Sequence, residues 1–312
     1  VGLPSVAVLN FGSAVLRAVG DTRHPMQYLI LSGASNVVMN LIFVGIFGMG
    51  VAGVAWATFL CQGVSCVLAM VVVFNRLRKV EGKEKAPLFS WALLKDIVVI
   101  AVPSTLQQSF ISLGNIIIQS IINGFGAPVM AGYSAAVKLN NLVITSFTTL
   151  GNGISNYTAQ NLGARKLPRI KEGMKVGVKM VWMLSLPLFL LYFFAGNVVL
   201  KLFMDEPTEL AMHTGIMYLR ILSPFYFVVS AKLVADGILR GAGMMKQFMI
   251  ATFTDLILRV VMAFVFSRTA LGATGIWCAW PIGWCIATTL SIMFYRHGPW
   301  ATAKAEQEKA SM

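Results

Sequence analysis

Eight stretches of the chain run for about 20 residues or more with few charges, each long enough to cross a hydrocarbon core. They lie at 26–46, 51–74, 97–122, 129–160, 176–200, 210–237, 248–267 and 273–295, and a partial helix at 1–17 makes nine. None shows the apolar/polar alternation of a membrane barrel strand. An unpaired backbone group costs several kcal/mol in lipid, so segments of this kind must be helical. The chain therefore reads as an all-α, polytopic membrane protein. Its composition agrees: of 312 residues, 57% are hydrophobic and 12% charged, with a mean hydropathy of +0.75, outside the mix of a soluble domain.

The formal net charge of +13 raises the question of nucleic acid. The distribution of the charge answers it. Nineteen of the 25 basic residues fall on every second connection, from Arg17 and Arg23 through the runs 76–95, 165–179 and 240–246 to Arg296, Lys304 and Lys309. The intervening connections hold only Lys201 and Arg268. By the positive-inside rule the basic set is cytoplasmic, and so is the C-terminus. The excess charge is topology, and no nucleic-acid partner is expected. The first residue is Val, and the opening stretch lacks the basic region and cleavage site of a signal peptide. Cys61, Cys66, Cys278 and Cys285 sit inside apolar runs without the spacing of a metal site.

One phrase occurs twice. "LRAVGDTRHPM" at 16–26 returns as "LRGAGMMKQFM" at 239–249. At an offset of 223, Leu16/Leu239, Arg17/Arg240, Gly20/Gly243, Met26/Met249, Val37/Val260 and Phe43/Phe266 coincide; after a one-residue slip, Gly50/Gly272, Gly53/Gly275 and Ala57/Ala279 follow. A match across two helices and their turns is a domain-scale repeat. Six helices separate the copies, an even number, so the repeats run parallel about an axis along the membrane normal, as in transporters whose halves move against each other. The expected architecture is two pseudo-symmetric six-helix lobes, the first incomplete by three helices and most of a fourth. Residues 1–74 form the end of the N-terminal lobe, 75–96 a cytoplasmic linker, 97–297 the C-terminal lobe and 298–312 a cytoplasmic tail.

Three stretches, "LNFGSAVLRAVGDTRHPM" at 9–26, "AGYSAAVKLNNLVITSFTTLGNGISNYTAQNLGARK" at 131–166 and "ADGILRGAGMMKQ" at 235–247, resemble the multidrug and toxic compound extrusion (MATE) transporters. The resemblance covers essentially the whole chain. It implies an antiporter that exports amphipathic, often cationic, organic compounds against a sodium or proton gradient by alternating access, with no enzymatic activity and no cofactor other than the coupling H+ or Na+. It further implies a monomer in the cytoplasmic membrane, in contact with lipid. One branch of that family places carboxylates in the helices corresponding to 97–122 and 210–237. Here the first has no acid and the second only Asp236, so the resemblance leaves the coupling ion open. A lipid-linked saccharide flippase of similar architecture, or a non-transporting membrane scaffold, are the alternatives.

Intramembrane polar groups are the natural site residues, since each charge costs about 2.5–3.5 kcal/mol to insert. Asp255 and Arg259 lie four apart on one helix face and serve either as a structural ion pair or as an ion-coupling relay. Lys138, Asn141, Thr145, Thr148, Asn152 and Ser155 form a polar stripe at helical spacing, and Ser104, Gln108, Asn115 and Gln119 form a second, with Pro103 as a kink point. Such stripes either glue helices together or line a cavity. The substrate-lining set is accordingly Gln108, Asn115, Gln119, Lys138, Asn141, Thr145, Thr148 and Asn152. Lys232 and Asp236 are also four apart, and pairing with snorkelling to the interface accounts for them. Arg220 is expected to meet Asp205, Glu206 or Glu209. The three histidines cluster with no nucleophile or metal ligand, and no HExxH, GxSxG or P-loop spacing occurs, so nothing points to catalysis.

Overall fold

The structure, a computed structural model, describes residues 3–78, 89–204 and 207–300. Among these there is no strand. Lys79, Lys83 and Lys85 of the expected linker, Asp205, Glu206, and Lys304 and Lys309 of the tail lie outside the described residues. The chain divides into two units, residues 1–89 and 90–312.

In the first unit, α1 (Leu3–Ala18) leads into α2 (Arg23–Asn40), which continues as a wider π-helical turn over Leu41–Ile46, and α3 (Gly50–Leu77) packs against both. The turn after α1 is closed by two reversed hydrogen bonds, Gly20 N–H to Arg17 O at 3.0 Å and Asp21 N–H to Leu16 O at 2.9 Å, with Gly20 at φ +84°. This is the Schellman ending that glycine accommodates without steric cost. The π turn holds one residue more than a regular helix would over the same height, and this is where the sequence repeat slips by one. Asp21 then ties the unit together, accepting from Arg76 Nη2 at 2.9 Å and meeting His24 Nδ1 at 2.7 Å. Burial pushes this carboxyl up, but the hydrogen bonds to His24 and Arg76 outweigh it and hold Asp21 below the usual carboxylate range.

The second unit contains α4 (Trp91–Asn123), α5 (Ala127–Gly163), α6 (Leu167–Phe194), the short α7 (Gly196–Lys201), α8 (Glu209–Leu222), α9 (Tyr226–Gly241), α10 (Met245–Ser267) and α11 (Gly272–Arg296). Two expected single spans are broken. The stretch 176–200 ends its helix at Phe194 and restarts at Gly196, and 210–237 is interrupted at Ser223–Phe225, where Pro224 has no N–H to give to the preceding turn. By contrast α4 runs unbroken through Pro103, and Ser104 Oγ donates to Ile100 O at 2.8 Å beside it. Among the described residues, seven helical segments are long and apolar enough to cross a membrane. The 37-residue α5 is long enough but is not one of the seven, because its polar stripe lowers its hydropathy. This is a multi-pass membrane protein.

Small residues set the spacing of the second unit. A β-carbon on Gly237 would overlap the Gly151 carbonyl, and one on Gly241 would overlap that of Ser155, so α9 lies directly on α5. Gly132 of α5 stands in the same way against Ala211 of α8. Such small-residue seams let helix backbones approach where lipid supplies no hydrophobic drive. Around them lies one core in which Phe147, Tyr218, Tyr226 and Trp277 are fully buried. Tyr133 stacks on Trp277 with centroids 5.0 Å apart, and Tyr218 meets Trp277 edge-on at 5.3 Å. Cys61 is buried and the other three cysteines are partly so, all as free thiols.

Candidate functional site

A cavity of about 630 Å³ lies within the second unit, enclosed by α4, α5, α8, α9, α10 and α11. On α4 it receives Gln107, Gln108, Asn115 and Gln119, on α5 Asn140, Asn141 and Thr148, and its aromatic surfaces come from Tyr133, Tyr218, Phe248, Trp280 and Trp284. A smaller groove of about 410 Å³ between α5 and α6 is almost wholly apolar, with Tyr157 and Glu172 among its lining residues.

The charged side chains of the larger cavity come from two helices. On α9, Lys232 Nζ donates to Asp236 Oδ2 at 2.6 Å and Ser291 Oγ donates to Asp236 Oδ1 at 2.6 Å, so both carboxylate oxygens are satisfied. Lys232 and Asp236 are only 4% and 2% exposed. On α10, Arg259 Nη2 donates to Asp255 Oδ2 at 2.7 Å, and its guanidinium lies 5.7 Å from the Trp280 ring centre. Asp255 Oδ1, buried without a hydrogen-bond partner, rests against Gly283, where a β-carbon would come within 2.5 Å of it. The absence of a side chain at Gly283 makes room for the carboxylate. Arg240 Nη2 donates to Asn152 Oδ1 at 3.0 Å, and the guanidinium sits 5.3 Å from the Phe248 ring centre.

These placements sort the residues singled out in the sequence. Gln108, Asn115, Gln119, Asn141, Thr148, Asp255 and Arg259 all line the cavity. Lys138 and Thr145 are exposed and lie outside its lining, and Asn152 reaches it through Arg240. Asn140, which carries no place in the stripe, is buried and accepts from Tyr226 Oη at 3.1 Å. The largest departure is on α9. Lys232 and Asp236 do not snorkel; they pair inside the bundle. Arg240, read as a cytoplasmic anchor, turns into the cavity. The i,i+4 spacing of a Lys and an Asp in an apolar helix was the available signal. Arg220 meets no described carboxylate and donates through Nε to Phe193 O at 3.4 Å.

Comparison with known protein families matches residues 103–265, over half of the chain, to MatE. The chain belongs to the MatE family. A probable multidrug resistance protein of Bacillus subtilis, YpnP, is 27% identical over 310 residues, covering 99% of this chain and 68% of the relative. The probable multidrug resistance protein NorM of Thermotoga maritima is 26% identical over 317 residues, covering 96% and 65%. The chain thus spans about two thirds of the length of these relatives. Among solved structures, an outward-facing MATE family multidrug resistance transporter of the MOP superfamily superposes with a TM-score of 0.85 at 23% identity, covering 95% of this chain and 66% of that one. At that identity the likeness is one of fold.

Proposed function

We propose that this protein works in the cytoplasmic membrane as an efflux transporter, moving amphipathic organic compounds out of the cell by alternating access in exchange for H+ or Na+. The observation that carries the reading is the cavity itself. It is large enough for a drug-sized molecule, walled by aromatic rings and neutral amides, and of its five charged side chains four form two ion pairs while Arg240 is held by the neutral Asn152. Such a wall binds varied flat molecules through generic contacts. The multidrug names of the relatives point the same way.

Exchange requires that ion and substrate favour different states of the transporter, each by its own differential affinity. A coupling cation entering this unit would compete with Lys232 for Asp236, or with Arg259 for Asp255. Opening either pair uncovers a buried charge, and that cost links ion occupancy to conformation. The protein acts as a monomer in this reading, with the C-terminus inside.

Everted membrane vesicles provide the test. Vesicles carrying the protein should accumulate a fluorescent amphipathic substrate when a proton or sodium gradient is imposed, and collapse of that gradient should release it. Accumulation that ignores both gradients would refute the exchange.

A further inference from the structure

We infer that the cavity of the second unit takes an amphipathic aromatic anion, bearing a carboxylate, sulfonate or phosphate, with its acidic group at Arg240. The charges lining the cavity are Lys232, Arg240 and Arg259 against Asp236 and Asp255, so one cation is in excess. The two carboxylates are each held by a cation at 2.6–2.7 Å, so a positively charged guest would compete with Lys232 or Arg259 for them, although Asp255 Oδ1 makes no hydrogen bond of its own. Arg240 is the remainder: among the described residues no carboxylate lies within salt-bridge distance of it.

Donors as well as charge are left over. Three donors, Arg240 Nε, Arg259 Nε and the hydroxyl of Thr252, are buried without a hydrogen-bond partner, against one unfilled acceptor in the cavity, Asp255 Oδ1, and Thr252 is only 7% exposed. All three belong to residues that line the cavity. A guanidinium fork with unfilled donors suits planar carboxylate or phosphate recognition far better than recognition of an ammonium. Phe248, beside Arg240, lies eleven positions before Arg259 on α10, and Trp280, beside Arg259, lies on α11; along α10 alone, residues 248 to 259 cover about 16 Å, which leaves room for a three-ring dye together with its acidic group. The aromatic frame of such a guest would lie along Trp280, Trp284 and Tyr218, with its acid against Arg240.

The inference rests on the export reading in treating this cavity as the substrate site, yet equilibrium binding needs no gradient and separates the two. The test uses the purified protein in nanodiscs of zwitterionic lipid and two dyes on one xanthene frame, fluorescein as anion and rhodamine 6G as cation, followed by fluorescence anisotropy. Fluorescein should bind at least tenfold more tightly. Arg240→Gln should erase that preference and Arg240→Lys should keep part of it. Asn152→Asp, which would set a carboxylate 3.0 Å from Arg240 with almost no change of shape, should also lower fluorescein affinity about tenfold. Lys246→Gln, at an exposed position on α10, should change nothing. Tighter rhodamine binding, equal binding, binding of neither dye, or an effect of Lys246→Gln matching that of Arg240→Gln would overturn the anion site. Replacing part of the lipid by phosphatidylglycerol distinguishes the source of the anion: unchanged fluorescein affinity supports a soluble guest, whereas its loss assigns Arg240 to a lipid headgroup and overturns the inference. Fluorescein binding without gradient-driven export leaves the anion site standing and removes the exchange reading.

Discussion

The helix pair α2–α3 and the helix pair α10–α11 are copies in sequence, and each can be laid against the other residue by residue. Their framework is the same. Gly243 repeats the ending seen at Gly20, with φ +73° and the bonds Gly243 N–H to Arg240 O at 3.0 Å and Met244 N–H to Leu239 O at 2.9 Å. Gly50 and Gly272 both enter their helices at positive φ, +54° and +52°. A β-carbon on Gly53 would meet Phe43 at 3.0 Å, and one on Gly275 would meet the matching Phe266 at 2.9 Å. The interior chemistry is different. In the first pair, Ser32 donates to Cys61 O at 3.4 Å and Asn36 donates to Thr58 at 3.2 Å. At the corresponding positions of the second pair, Asp255 rests on Gly283 and Arg259 lies over Trp280. Two neutral hydrogen bonds have become an ion pair, a missing side chain and an aromatic face. The glycines fix how two helices meet, and the residues between them are then free to change.

The strongest way to break this comparison is to strip one charge from the second pair. Asp255→Ser alone leaves Arg259 buried and unpaired and should cost about 3 kcal/mol. The double change Asp255→Ser with Arg259→Asn rewrites the second pair in the chemistry of the first and should recover most of that loss. Thermal unfolding of both variants in detergent decides it, and equal loss in single and double variants would show that the pair is not a unit.

Filling the gap beneath the carboxylate comes next. Gly283→Ala forces Asp255 to shift and should destabilise by about 1–3 kcal/mol. Cys61→Ala at the matching position deletes one buried sulfur and should cost less. Comparable shifts in melting temperature would mean that Gly283 has no special tie to Asp255.

The shared turns sharpen the likeness. Gly20→Ala and Gly243→Ala both place a β-carbon in the left-handed region and should each cost about 1 kcal/mol. A difference of more than twofold between them in unfolding experiments would mean that the two turns are not equivalent.

The smallest effect is one of pH. Asp21 is held below the usual carboxylate range, so its contribution is present above that range and disappears as the pH falls through the lowered value. Its counterpart in the second pair is Met244, which does not titrate. Amide exchange at Gly20–Arg23 should therefore quicken in strong acid while that at Gly243–Lys246 should not respond through such a group.

By itself the sequence determined what a single helix decides. Apolar length set the helical class, the duplicated glycines set the turns, and the 3.6-residue period placed Asp255 beside Arg259 and Lys232 beside Asp236, because neighbours on one helix are a matter of spacing. Only the tertiary structure decided which polar faces meet. Lys138 and Thr145 share the stripe of Asn141 and Thr148 but lie outside the cavity, and Arg240 shares the phrase of Arg17 yet turns inward. Rotation and depth of one helix against another are set by close approach, here Gly237 and Gly241 on the carbonyls of Gly151 and Ser155, and no periodicity within a single segment encodes where those contacts fall.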